Sequence, residues 1–150
     1  MWQFKSYLAK NDLKTLSAVI AEAEKKTSGQ IRVVVRHSKH WNEKRLSLHQ
    51  LALKEFHRLG MQHTRNRTGV LLLFLFSERK FHIIADEGIH KKVDDGTWDR
   101  IAEVISAHFK DGRYVQGITD AVMAVGAELA KHFPPSAGDT NELPTDVVER

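Results

Sequence analysis

The feature that most constrains this chain is an apolar run, Val70 to Phe76, followed by four polar residues, Ser77-Glu78-Arg79-Lys80, and then by Phe81-His82-Ile83-Ile84-Ala85. A strand with one wet face alternates apolar and polar side chains. Val70 to Phe76 does not alternate, so both of its faces need cover. The polar four mark the turn of a β-hairpin. A further β-branched run, Ile31 to Val35, is too short for a helix and reads as another buried strand, central in its sheet.

The cover comes from amphipathic segments. Leu13, Leu16, Ile20 and Ala23 recur at helical spacing, with an end expected near Thr27-Ser28-Gly29, where glycine can take a left-handed cap. A second helix is predicted from about Asn42 to Leu59, on Leu48, Leu51, Ala52, Phe56 and Leu59, with Gly60 stopping it. Trp98, Ile101, Ala102, Ile105 and Phe109 mark a third helix, and Val115, Ile118, Val122, Val125 and Leu129 a fourth, which Pro134-Pro135 ends. The order helix, strand, helix, strand, strand, helix, helix predicts a three-layer α/β/α sandwich. Its small mixed sheet combines a right-handed parallel crossover with the antiparallel hairpin, flanked by helices on both faces.

At 150 residues the chain fits one core. We place a domain at residues 1–133 and an acidic tail, docked or loose, at 134–150. The composition, 41% hydrophobic and 28% charged, is that of a folding chain. The tail carries a net charge of −3 and the remainder +7. The body's lysines and arginines are scattered among acids rather than gathered in a stripe, which argues against nucleic-acid binding. The first residues, Met1-Trp2-Gln3-Phe4-Lys5-Ser6, offer no apolar leader, and no run approaches the roughly 18 apolar residues of a membrane span. With no cysteine, the expected compartment is the cytoplasm.

Four stretches, Thr27-Ser28-Gly29-Gln30-Ile31-Arg32-Val33, Arg67-Thr68-Gly69-Val70-Leu71-Leu72, Arg79 to Ile89 and His108 to Ile118, resemble in order and spacing those of the TPM domain. That family includes thylakoid lumen proteins proposed as acid phosphatases. The tail Asn141-Glu142-Leu143-Pro144-Thr145-Asp146 is similar to the ending of its short, anchorless bacterial members. The resemblance implies an α/β/α fold and a divalent-cation site in a crevice by the strand ends. Gln30 stands where members commonly carry an acidic residue after the Ser-Gly pair.

The residues themselves single out Asp86, Glu87, Asp94, Asp95 and Asp99, just after the hairpin's second strand and around a helix start. Ligand crevices of open α/β sheets lie at strand carboxyl ends. Carboxylates gathered there would repel one another unless a cation sat among them, and hard oxygen ligands suit Ca²⁺ or Mg²⁺. Asp86 leads this set. The alternative is that Asp94 or Asp95 caps the helix and Asp99 complements its dipole.

His82, on one strand face with Ile84 and Asp86, could orient Asp86 or bind a ligand beside it, or be a half-buried strand residue. The loop His63-Thr64-Arg65-Asn66-Arg67 could hold a phosphate or be solvated surface. No His-Glu-x-x-His zinc pattern, Gly-x-Ser-x-Gly elbow or dinucleotide fingerprint occurs. The expected function is a non-enzymatic binding module that takes up Ca²⁺ or Mg²⁺ and meets a protein partner. The alternatives are a metal-assisted phosphatase, with Arg65 or Arg67 on the phosphate, and a phosphate-backbone binder.

Overall fold

The computed structural model describes residues 8–135 and 143–150. Residues 1–7, read above as lacking a leader, and 136–142 of the tail lie outside the described residues. Strands β1 (Gln30–Arg36), β2 (Gly69–Leu75) and β3 (Lys80–Ala85) follow the apolar runs, and every residue of β1 and β2 is buried. β1 and β2 pair in parallel, Gln30 opposite Gly69 through Arg36 opposite Leu75, while β2 and β3 form the antiparallel hairpin. A 3₁₀ turn, Phe76–Glu78, joins the hairpin strands and closes on Arg79 in the left-handed region at φ 53°.

Helices cover both faces, as strands apolar on both sides require. Ile31, Val33 and Val35 of β1 and Val70, Leu72 and Phe74 of β2 pack with α1 (Lys10–Glu24), α4 (Asp95–Lys110) and α5 (Tyr114–His132). The opposite face, with Val34, Leu71, Leu73, Leu75 and Ile84, packs with α2 (Leu48–Arg58). The product is the three-layer α/β/α sandwich with a mixed sheet. Among the described residues no helix is long and apolar enough to cross a membrane.

Three local differences from the sequence expectation have physical causes. α2 begins at Leu48 because Ser47 and Gln50 cap each other: the Ser47 hydroxyl accepts from Gln50 N, and Ser47 N donates to the Gln50 side chain. A short helix, α3 (Glu87–His90), follows β3 directly. Gly29 is not a left-handed cap. A Cβ there would lie 2.9 Å from Leu129, so glycine serves the close approach of α5. Gly60 does adopt φ 70° and ends α2.

The described tail residues, 143–150, are docked. Val148–Glu149 form β4, parallel to β1, giving the sheet order β3-β2-β1-β4. Arg150 then donates from Nε to both oxygens of buried Glu55 at 3.0 and 2.9 Å. The same layer holds Arg36, whose side chain is fully buried and whose guanidinium forms a two-pronged pair with Glu43. Glu43 also accepts from Lys54 Nζ at 2.7 Å and His40 N at 2.8 Å. These donors, Arg36 foremost, hold the Glu43 carboxyl far below the usual carboxylate range. The cluster pins the end of β1, the turn at Trp41–Glu43 and α2.

Candidate functional site

The direction of each strand decides which rim of the sheet is which. β1, β2 and β4 are parallel, so their carboxyl ends share one rim, where Arg36, Leu75 and Glu149 lie. β3 runs the other way. Its last residue, Ala85, pairs with Val70, and Asp86 N donates to Gly69 O at the amino rim. Asp86 therefore sits on the rim opposite the one that the strand-end rule designates.

At that amino rim Asp86 is buried and is the N-cap of α3, with Oδ1 accepting from Glu87 N at 2.8 Å. Its Oδ2 lies 3.2 Å from Arg67 Nε without the alignment of a hydrogen bond, and Arg67 also donates to Gln62 O. Arg67 takes φ 57°, and Gly88 N donates to its carbonyl. A Cβ on Gly88 would stand 2.5 Å from Asn66 O and 2.6 Å from Arg67 O, so this corner is closed by backbone. Glu87 is exposed. Asp94 occupies the N-cap position of α4 without a side-chain cap hydrogen bond, Asp95 is the first helical residue, and Asp99 follows a turn later; all three are exposed. Among the described residues no group of three or more His, Asp or Glu is placed to hold a metal ion. The chain thus brings Asp86 and Arg67 together but does not gather Asp86, Glu87, Asp94, Asp95 and Asp99 into one shell. His82 does not orient Asp86; its ring meets His49.

The carboxyl rim holds a groove of about 430 Å³. It is built where the hairpin turn meets the junction of α4 and α5. Phe76, Phe81, Phe109 and Tyr114 line it, with ring centroids 5.0 Å apart for Phe109 and Tyr114, 5.4 Å for Phe76 and Tyr114, and 6.1 Å for Phe76 and Phe109. The two Tyr114 contacts are edge-to-face and the Phe76–Phe109 contact is stacked, and together they fix the rings and leave an apolar floor. Arg79, Lys80 and Lys110 stand exposed around it, and no carboxylate belongs to the lining. Tyr114 is also the first residue of α5, so the positive end of a 19-residue helix opens here. Gly112, at φ 74°, makes the turn that brings α5 back over Phe109. Sequence reasoning did not single out these residues as a site. The signal was present: Arg79-Lys80-Phe81 and Phe109-Lys110 each set cations beside aromatics, in stretches already quoted for the family resemblance.

A family model described as TPM domain matches residues 3–128. Among solved structures, the BA42 protein of the psychrophilic bacterium Bizionia argentinensis is similar at 32% identity and a TM-score of 0.88 over 100% of both chains. An N-terminal domain from P. gingivalis is similar at 22% identity and a TM-score of 0.69, over 85% of this chain and 80% of that one. An N-terminal domain from Corynebacterium glutamicum follows at 13% identity and a TM-score of 0.62, over 89% and 79%; these two likenesses show the fold alone. No curated protein matches the chain.

Proposed function

Because this chain belongs to the TPM domain family, whose fold it carries, we propose that it is a non-enzymatic binding module that takes a small anionic ligand with a flat apolar body in the carboxyl-rim groove. One observation carries the reading: four aromatic rings and three cations line one groove that contains no carboxylate. The volume, about 430 Å³, is that of a small-molecule site rather than of a macromolecular interface. The rings supply apolar contact area, while Arg79, Lys80, Lys110 and the start of α5 supply a positive field for a phosphate or carboxylate. Among the described residues the lining holds no carboxylate and no histidine to serve as a general base, which favours holding a ligand over cleaving it.

The test compares adenosine 5′-monophosphate with adenosine by calorimetry at low and high salt. The phosphate should strengthen binding, and salt should remove most of the difference. Each exposed lysine contributes up to about 1 kcal/mol, so K80A/K110A should bind roughly 5- to 30-fold more weakly. Equal affinity for the two probes, or an unchanged double variant, refutes the reading. Steady phosphate release by the pure protein refutes its non-enzymatic part.

A divalent cation at Asp86 is the second reading, favoured by Asp86 Oδ2, a buried carboxylate oxygen with no hydrogen bond, and it requires the Arg67 guanidinium 3.2 Å away to swing aside. Mg²⁺ accepts one or two carboxylates and keeps its waters, so a single well-placed Asp suits it better than it suits Ca²⁺. Titration with each ion, read at the Asp86 and Glu87 amides, tests this. No movement at millimolar ion dismisses it.

A further inference from the structure

β3 is the outer strand of the sheet, and His82 on it meets His49 from the first turn of α2. Nδ1 of His49 stands 2.9 Å from Nε2 of His82, with ring centroids 5.1 Å apart and planes at 81°. His49 is exposed and His82 half-buried. Burial, and then the neighbouring His49, push the His82 imidazole to lower pKa.

At this separation one ring donates its N–H and the other accepts it. When a metal ion binds, the donor ring carries its proton on its other nitrogen instead, and the two facing nitrogens both turn a lone pair toward the ion. With metal–nitrogen bonds of about 2.0–2.1 Å, two ligands at right angles stand about 2.9 Å apart, whereas two at tetrahedral corners stand about 3.3 Å apart. The 2.9 Å between the two nitrogens is the length of their hydrogen bond, and it lies within about 0.4 Å of either spacing, so small rotations of the rings make room for Cu²⁺, Ni²⁺ or Zn²⁺, all of which suit imidazole.

We propose that His49 and His82 form a two-histidine clip for a divalent transition-metal ion, independent of both the groove and the Asp86 corner. The clip is held between a capped helix and a strand, so its two ligands come from elements already fixed by the core. No third His, Asp or Glu joins them among the described residues. Water fills the remaining positions, and the bound ion stays open to an incoming ligand.

The test is calorimetric titration of the untagged chain with Ni²⁺ and with Cu²⁺, for the wild type, His82→Asn, His49→Ala and the control His57→Ala, another exposed histidine of α2. The expected result is one equivalent bound, Cu²⁺ tighter than Ni²⁺, with affinity falling about tenfold or more in each clip variant. His57→Ala should bind as the wild type does. Removing Asp86 should also leave Ni²⁺ affinity unchanged. Wild-type affinity in His82→Asn, or a loss in His57→Ala equal to that in His49→Ala, overturns the proposal. Circular dichroism of each variant confirms that a lost site is not a lost fold.

Discussion

Replacing Glu43 with Gln keeps the side chain's volume and removes its charge from a layer in which Arg36 has no exposed side-chain surface. The Glu43 carboxylate accepts from both Nη atoms of Arg36, from Lys54 and from the His40 backbone. A glutamine keeps one acceptor oxygen and turns an NH₂ toward a guanidinium that can only donate. Glu55 is the other acid near Arg36, 3.9 Å from Nη1, and it is already engaged by Arg150. Hydrogen bonds to charged groups are worth about 1.5–3 kcal/mol each, and breaking a buried ion pair by removing one partner costs about 3–5 kcal/mol. We expect Glu43→Gln to lose about 3–5 kcal/mol, a large part of the 5–15 kcal/mol typical of a domain. Urea denaturation followed by circular dichroism at pH 7, with an unchanged slope, measures it. Arg36→Met combined with Glu43→Leu should lose less than Glu43→Gln, because no unpaired charge remains buried. The folded pKa of Glu43 is depressed, so its contribution is complete above the ordinary value of 4.5 and disappears as pH falls through the lower folded value. Glu43→Gln should therefore flatten the acid limb of the stability curve. A loss below about 1 kcal/mol, the range of exposed pairs, refutes the claim that this cluster is a buried structural pin.

Gly88→Ala should cost about 1–3 kcal/mol, since its Cβ would fall on two backbone oxygens that side-chain rotation cannot clear; a neutral result in urea would show that the 66–67 loop yields freely. Arg150→Ala should cost about 1–3 kcal/mol by leaving buried Glu55 with the distant Arg36 alone, and exchange protection at the Val35 and His37 positions along β4 reports whether the tail detaches. The His82 pKa is lowered, so the unfolded chain binds the proton more readily and stability should fall as pH drops below the ordinary 6.5, levelling below the folded value; His82→Asn should remove that step in a urea series, and a step of the same size there contradicts it.

The sequence made the scaffold legible where burial is two-sided or strictly periodic. Ile31 to Val35 and Val70 to Phe76 could be little other than covered strands, and the stripes of α1, α4 and α5 state their inner faces directly. β4 was not legible, because Val148-Glu149 in an acidic tail becomes strand only by pairing with β1, a partner over a hundred residues away. Arg36 was hidden for a similar reason: an arginine on a valine-rich strand looks like an exit from the core until Glu43 and Glu55 are folded against it. The candidate sites show the same division. Asp86 was placed by a rule about strand ends, but the rule concerns the parallel strands, and the direction of β3 puts Asp86 on the other rim. The groove draws on three separate stretches, residues 75–81, 106–110 and 112–114, which converge only when α5 folds back at Gly112. Sequence spacing carries no such convergence.

Amide shift mapping with adenosine 5′-monophosphate tests the account most directly, because basic side chains stand at both rims. The account predicts movement at residues 75–81 and 106–114, around the groove, and none at Arg65, Arg67, Asp86 and Gly88. Movement confined to the latter four would contradict it, transferring the ligand site to the amino rim and leaving the aromatic groove as packing alone.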